Sequence, residues 1–307
     1  MSLMDEKISP MLAISGNVFD DPNWVYEIKW DGSRTIAFLS SSTKLQDRRL
    51  VDISHQFPEL IKMDEYLKSN EAILDGELIV LKDNKPSYRS IMMRKHQQNK
   101  LRIELLSKSN PAMFITWDVL YVDGKELLNY PLIERREILS KIVSESNIIR
   151  ISDYIFGHGK TLFAETGKKQ LEGVMAKKAD SKYYKGKRSS LWQKFKHYFT
   201  LNAVIIGYRT DKTALVLGLY NEENKIVHIG NVESGISQKE LTAFMEVAKD
   251  IKVKSNFYGI KESNVQWIMP VLVSKVKFME WSENFKMRAP SFLEFVYDAK
   301  PYDCRFT

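Results

Sequence analysis

The stretch Tyr26 to Leu39, YEIKWDGSRTIAFL, sets Lys29 two residues before Asp31, with Gly32 and Arg34 just beyond. It reads as one extended strand, on which alternate residues share a face. Charged side chains then line a strand that also carries Val25, Ile28, Trp30 and Ile36. A solvated strand edge is one account of that face, and a lysine nucleophile supported by its neighbours is the other. Four more segments bear on the choice. ILDGELIV places Asp75 and Glu77 on one strand face, and FITWDVL sets Trp117 beside Asp118. LEGVMAKK holds Glu172 and Lys177 at the two ends of an apolar strand, and LWQKFK puts Lys194 and Lys196 in one row with Trp192. Carboxylates, lysines and aromatics thus recur on strands that are otherwise apolar. Buried charge is tolerated when it is paired or bound to a ligand.

The elements that must position these residues are mostly strands. WVYEIKW, RTIAFLS, AILDGELIVL and AMFITWDVLYV have period-2 patterns rich in β-branched and aromatic residues. PLIERREILSKIVSES is a helix candidate opening on Pro131, with apolar residues close to a 3.6 period, and GKTLFAETGKKQL is a second. Strands interleaved with helices in no strict βαβ order predict an α+β domain with mainly antiparallel sheets. After WQKFKHYF the texture changes to short strands, NAVIIGYR, ALVLGLYN, KIVHIGNV and PVLVSKVKFMEW, around one helix, SQKELTAFMEVAKD. Ser237 and Glu240 form an S-x-x-E capping box at its start. Five or so strands around a single helix fit an OB-fold β-barrel. The expected division is 1–199 and 200–307.

A length of 307 residues favours two domains, and 44% hydrophobic with 28% charged residues is the balance of a folded globular chain. A net charge of +7 favours an acidic partner, nucleic acid above all. Residues 200–307 hold 14 Lys+Arg against 13 Asp+Glu, so +6 of the excess lies in 1–199. The single cysteine, Cys304, excludes an internal disulfide and a cysteine zinc cluster. With no signal-like N-terminus and no apolar run near the length of a bilayer span, a cytoplasmic protein without membrane attachment is expected, nucleoid-associated if prokaryotic. GHGKT at 157–161 lacks the P-loop's first glycine, since Tyr154 stands there.

In order, the motifs resemble those of the ATP-dependent DNA ligases of the covalent nucleotidyltransferase superfamily, most closely the ligase module of bacterial end-joining ligase D. K-x-D-G-x-R stands at Lys29–Arg34, a further arginine at Arg48 ahead of FPEL, and D-G-E at Asp75–Glu77. The aromatic-Asp pair is Trp117-Asp118, E-G-x-x-x-K runs from Glu172 to Lys177, and W-x-K-x-K from Trp192 to Lys196. The resemblance spans essentially the whole chain. It implies a nucleotidyltransferase (adenylation) domain followed by an OB-fold, with ATP and Mg²⁺ or Mn²⁺ as cofactors. Lys29 would attack the α-phosphate, with Asp31, Lys194 and Lys196 in the catalytic set; crowding by Lys194 and Lys196 favours an uncharged amine. Glu27, Ile28, Arg34, Arg48, Glu77, Trp117, Met175, Lys177, Lys194 and Lys196 would hold the nucleotide. Within that set Trp117 and Met175 sandwich the adenine, with Glu27 near its amine. Glu77 and Glu172 would hold the metal.

The segment SKYYKGKRSSLWQKFK, 181–196, has six basic residues, no acidic one and four aromatics. Such interleaving suits backbone-directed DNA binding through Lys185, Lys187 and Arg188. Two departures stand out. Arg49-Leu50 replaces the usual Asn-Gly after Arg48, and the C-terminal motif keeps Arg288 and Lys300 but has Val296 where arginine is expected. The resemblance further implies nicked or broken duplex DNA as partner, a monomer, and a Ku-like end-binding protein and a polymerase on separate chains. An RNA ligase, an mRNA capping nucleotidyltransferase and an inactive end-binding protein are the alternatives.

Overall fold

The computed structural model describes residues 2–253 and 258–306. The chain divides into two compact units, Met1–Lys196 and His197–Thr307; the sequence placed the division near residue 199. In the first unit the strands are β1 (Leu12–Ser15), β2 (Trp24–Ile28), β3 (Ser33–Leu39), β4 (Thr43–Asp47), β5 (Ala72–Lys82), β6 (Lys85–Pro86) and β7 (Ala112–Val122). They continue with β8 (Lys125–Glu126), β9 (Ile149–Ile151), β10 (Tyr154–Phe156), β11 (Gly173–Lys178) and β12 (Arg188–Lys196). The helices are α1 (Tyr88–Lys95), α2 (Lys100–Ser109), α3 (Leu132–Ile142) and α4 (Gly159–Lys168).

Two sheets form, ordered β1-β12-β11-β2-β10 and β4-β3-β5-β7-β8, with β6 and β9 pairing at the side of the second. All pairs are antiparallel except β1 with β12 and β7 with β9. The period of two then sorts side chains between two cores. Ile36, Phe38 and Ile73 join Val25 and Trp192 of the other sheet in the core between the sheets. Ala37, Leu39, Leu74 and Leu78 face the opposite way, into a core closed by Ile91 of α1 and Leu139 of α3. The second sheet is therefore buried on both faces.

The opening motif is not one strand. β2 ends at Ile28 and β3 begins at Ser33, each in a different sheet. Lys29 to Gly32 is the crossover between the sheets, so Lys29 and Arg34 belong to different sheets and no single strand face carries Lys29, Asp31 and Arg34. Gly32 is needed there because a Cβ would lie 2.2 Å from the Leu78 carbonyl oxygen. Pro131 caps α3 instead of opening it as the first helical residue. The short helices α1 and α2 went unread; Ser87 and Asn99 cap them by accepting from Ser90 N and Arg102 N. The hairpins β5–β6 and β7–β8 turn on Asp83-Asn84 and Asp123-Gly124, all at positive φ, as two-residue turns require.

The second unit holds β13 (Phe199–Arg209), β14 (Leu215–Tyr220), β15 (Ile226–Val232), α5 (Gln238–Asp250), β16 (Val265–Phe278) and β17 (Ser291–Phe295). Its antiparallel order, β15-β14-β13-β16-β17, with one helix, is the OB-fold. The Ser237–Glu240 capping box is present, and Phe244 and Ala248 carry α5 into the core. β16 starts before the expected PVLVSKVKFMEW and runs through Pro270. Its pairing with β13 jumps from Leu272 to Trp267 there, and this bulge lets proline sit inside a strand.

Arg135 of α3 is fully buried, with Nε and Nη2 donating to Asp118 at 2.7 and 2.8 Å, and Asp118 is itself fully buried. Replacing Arg135 by Met leaves that carboxylate unpaired. The expected loss is about 3–5 kcal/mol, read by denaturant unfolding; a loss below ~1 kcal/mol would show the pair to be dispensable.

Candidate active site

Register brings the motifs together. On the first sheet Glu27 pairs with Met175 and Met175 with Lys194, while Val25, Lys177 and Trp192 form the next row. Gly173 pairs with Lys196 and accepts the Lys29 N–H at 3.0 Å, which carries the row one residue beyond β2. Lys29, Lys194, Lys196, Glu27, Met175 and Lys177 therefore share one face. Gly173 has φ 149°, and a Cβ would lie 1.9 Å from the Phe195 carbonyl oxygen, so glycine must follow Glu172. On the second sheet Arg34 pairs with Glu77 and Ile36 with Asp75, so Arg34, Asp75 and Glu77 face the first sheet.

Between these faces opens a cleft of about 690 Å³, of the size that takes a small ligand. Lys29 lines it, as do Glu27, Ile28, Arg34, Arg48, Glu77, Trp117, Met175, Lys177, Arg188 and Lys194. Lys29 Nζ donates to Glu172 Oε2 at 2.6 Å, and Lys196 Nζ meets Glu172 Oε1 at 2.7 Å. The expected crowding by cations alone is corrected: one carboxylate bridges two of the three lysines. Lys194 carries no such carboxylate among the described residues. Burial, then the charges of Lys196, Lys29, Arg188 and Arg48, pull its ammonium below the ordinary lysine range.

Several expected ligand contacts are occupied within the protein. Arg34 is bidentate to Asp75, through Nε at 2.6 Å and Nη2, so its fork is not open to phosphate. Tyr183 Oη donates to Asp75 at 2.7 Å and accepts from Met11 N. Glu27, 1% exposed, has Arg136 Nη1 at 3.0 Å on one oxygen and Lys177 on the other, the latter an ion pair without hydrogen-bond directionality. It is not open to an adenine amine. Burial pulls Lys177 down to about 8, against the attraction of Glu27 and with the help of Arg136. Trp117 is only 6% exposed, with the Arg34 guanidinium and the Lys177 ammonium each 4.6 Å from its ring centre. Trp117 nonetheless lines the cleft, and Met175 is half-buried in the same wall. Asp31 lies in the crossover, half-buried.

Glu77 is the acid the fold leaves unmatched. Among the described residues nothing hydrogen-bonds or ion-pairs its carboxyl, and burial pushes it up to about 8 against Lys29 and Arg34, with Glu172 and Asp75 pushing the same way. No cluster of three or more metal-binding side chains occurs among the described residues. Glu172 adds its charge to the push on Glu77, but both of its oxygens already meet lysines, so a hard cation held by these two carboxylates would have to displace those contacts.

The basic segment 181–196 is also corrected. Tyr183, Trp192 and Phe195 are core residues, and only Tyr184 is exposed. Lys185 pairs with Glu6 at 2.8 Å, Lys187 is exposed, and Arg188 Nη1 donates to the Ala13 carbonyl at 2.6 Å. Arg288 and Lys300 belong to the second unit; Arg288 pairs with Glu280 at 2.7 Å, and Lys300 is exposed ahead of a 3-10 turn. Sequence reasoning missed Arg135, Arg136 and Lys95. The signal was present, because Arg135 and Arg136 occupy the stripe between Leu132 and Leu139 where apolar residues belong.

The Glu77 shift has a sign. A carboxyl that holds its proton to about pH 8 when folded, and only to the ordinary range when unfolded, makes the fold lose stability as pH rises between the two. Glu77→Gln is therefore expected to stabilise the protein at pH 8.5 by roughly 1–2 kcal/mol and to do little at pH 5. Denaturant midpoints at the two pH values check this; an equal change at both would exclude a strained carboxylate.

Two family models cover most of the chain: ATP dependent DNA ligase domain over residues 10–196 and ATP dependent DNA ligase C terminal region over residues 208–299. The multifunctional non-homologous end joining protein LigD of Mycolicibacterium smegmatis is 29% identical over 302 residues, covering 93% of this chain and 38% of that protein. A DNA ligase of Pyrobaculum arsenaticum is 28% identical, over 82% of this chain and 47% of its own. The chain thus spans about two fifths to one half of the curated relatives it matches. Among solved structures, mycobacterial DNA ligase D complexed with ATP and MES is 27% identical with a TM-score of 0.58, covering 99% of both chains. A Lig E DNA ligase, 15% identical with a TM-score of 0.65, shares the fold. With both of its units matched by the models of one family, the chain belongs to the ATP-dependent DNA ligases.

Proposed function

We propose that this protein seals 5′-phosphate/3′-hydroxyl breaks in duplex DNA through a covalent Lys29–AMP adduct. The observation that carries the reading is Lys29 itself, a half-buried amine lining a nucleotide-sized cleft, with one acidic partner and further cations behind it. Lys29 Nζ bonds to the α-phosphorus of ATP as the bond to the β-phosphate oxygen breaks, and pyrophosphate leaves with the electron pair. The ammonium must first shed a proton, and Glu172 Oε2, at 2.6 Å, is the nearest acceptor. Lys194, which meets no acidic side chain among the described residues, neutralises charge that builds on the α-phosphate.

A 5′-phosphate oxygen at the break next attacks the adduct phosphorus and frees Lys29. The 3′-hydroxyl then attacks the activated 5′-phosphate, joins the strand and expels AMP. Glu77 and Glu172 would hold Mg²⁺ or Mn²⁺, which supplies positive charge beside the phosphates. Lys187 and Arg188, exposed at the start of β12, suit contacts to the DNA backbone. Arg288 and Lys300 are the candidate residues of the second unit for a role in self-adenylation.

The similarity to end-joining proteins supports a role in end joining, with a Ku-like end-binding protein and a polymerase as partners and a monomeric ligase in the cytoplasm or nucleoid. No helix among the described residues is long and apolar enough to cross a membrane. Capping and RNA-ligase readings lose ground because both matching family models are of DNA ligases. Incubation with α-labelled ATP and Mg²⁺ tests the central step. Wild type is expected to take up label, and Lys29→Ala to lose it by at least ~1,000-fold while still sealing a pre-adenylated nick. Label retained by Lys29→Ala, or none taken up by wild type, would overturn the reading.

A further inference from the structure

The turn after β4 sets two arginines side by side at the cleft. The Leu50 N–H donates to the Asp47 carbonyl at 2.9 Å, closing a β-turn with Arg48 and Arg49 at its centre. Asp47 holds the turn: its Oδ1 accepts from Arg49 N at 2.8 Å and from Val51 N at 3.0 Å. Its Oδ2 meets Lys95 Nζ at 2.7 Å, and Lys95 also donates to Ser33 Oγ at 3.2 Å. The turn is thereby tied through α1 to the start of β3, just past the crossover that carries Lys29. Burial pushes the Asp47 carboxyl up, but Lys95 and the N–H groups of Val51 and Arg49 outweigh it and hold it below the usual carboxylate range. Leu50 has φ 65°, a left-handed conformation with no glycine to ease it, so the turn is held by these anchors and not by an easy backbone.

Both guanidiniums are exposed and line the cleft, and among the described residues neither meets an acidic side chain. The cations deeper in each already meet a carboxylate: Arg34 meets Asp75, Lys177 meets Glu27, Lys29 meets Glu172, and Lys95 meets Asp47. The positive charge still available lies at the margin, on Arg48, Arg49, Arg188 and Lys194. A ligand suited to this distribution has its uncharged part inside and a polyanionic tail at the rim. Adjacent guanidinium forks match phosphate oxygens better than ammonium groups do.

We propose that Arg49, with Arg48, takes the β- and γ-phosphates of the nucleoside triphosphate in this cleft and steadies pyrophosphate as it departs. The assignment rests on the cleft being an ATP site. When the Lys29–phosphorus bond forms and the phosphoanhydride bond breaks, the electron pair stays on the pyrophosphate oxygen, and Arg49 faces that growing charge.

Calorimetric binding of inorganic pyrophosphate with Mg²⁺, of AMP, and of a nicked duplex to the full chain tests it, with wild type, Arg49→Ala and Arg49→Lys compared. Arg49→Ala is expected to weaken pyrophosphate about tenfold and AMP less than about twofold, with partial recovery in Arg49→Lys. Unchanged pyrophosphate affinity overturns the proposal, as does equal weakening of both ligands. A loss confined to the nicked duplex also overturns it and makes Arg49 a DNA-backbone contact. Should wild type bind pyrophosphate through Arg49 yet never form the Lys29 adduct, the turn would be a polyanion site and the ATP reading would fall separately.

Discussion

One carboxylate, Glu172, holds the nucleophile. It is almost wholly buried and spans two ammonium groups, Lys29 and Lys196, that would otherwise repel each other from either side of β11. Losing the acid would leave cations crowded in a half-closed cleft; losing the lysines would leave a buried, unpaired carboxylate. Each outcome is costly away from water. The chemistry and the stability of this sheet face therefore depend on the same contact, and attack by Lys29 requires that the contact be exchanged for contacts to phosphate and metal.

The same logic extends outward in layers. Asp75 holds Arg34, Glu27 holds Arg136 and Lys177, and Asp118 holds Arg135. These pairs lie in or beside the wall between the two sheets, where Trp117 and Trp192 close over Lys177 at 4.6 and 4.5 Å. With these cations already facing carboxylates, Glu77 is left, among the described residues, as the cleft acid without a partner, and Arg48, Arg49, Arg188 and Lys194 as cleft cations without an acidic one. That imbalance, more than the cleft's shape, marks where a nucleotide's metal and phosphates belong.

Much of this was legible in the sequence because strands repeat every two residues. Alternation alone put Lys194 and Lys196 in a row with Trp192, and Asp75 with Glu77, and the Ser237–Glu240 signal located α5. What alternation cannot show is a change of sheet. The crossover at Lys29–Gly32 looked like continued strand because Trp30 keeps the apolar pattern while making a tertiary contact, Nε1 to Ser152 Oγ at 3.1 Å. Partners were equally invisible. Nothing local shows that Arg34 is spent on Asp75, that Arg136 reaches Glu27 from a helix, or that Tyr183, Trp192 and Phe195 fill cores instead of facing DNA. Those facts depend on contacts between residues far apart in the chain.

The most direct test of the account measures the reactivity of the Lys29 amine. Competitive acetylation near pH 7.5, read by peptide mass spectrometry, compares Lys29 with the exposed Lys62 in wild type and in Glu172→Gln. If Glu172 restrains the nucleophile, wild-type Lys29 reacts more slowly than Lys62, and the glutamine variant speeds it about tenfold, the worth of one charge-assisted hydrogen bond. Equal rates at Lys29 in the two proteins, already matching Lys62, would contradict it.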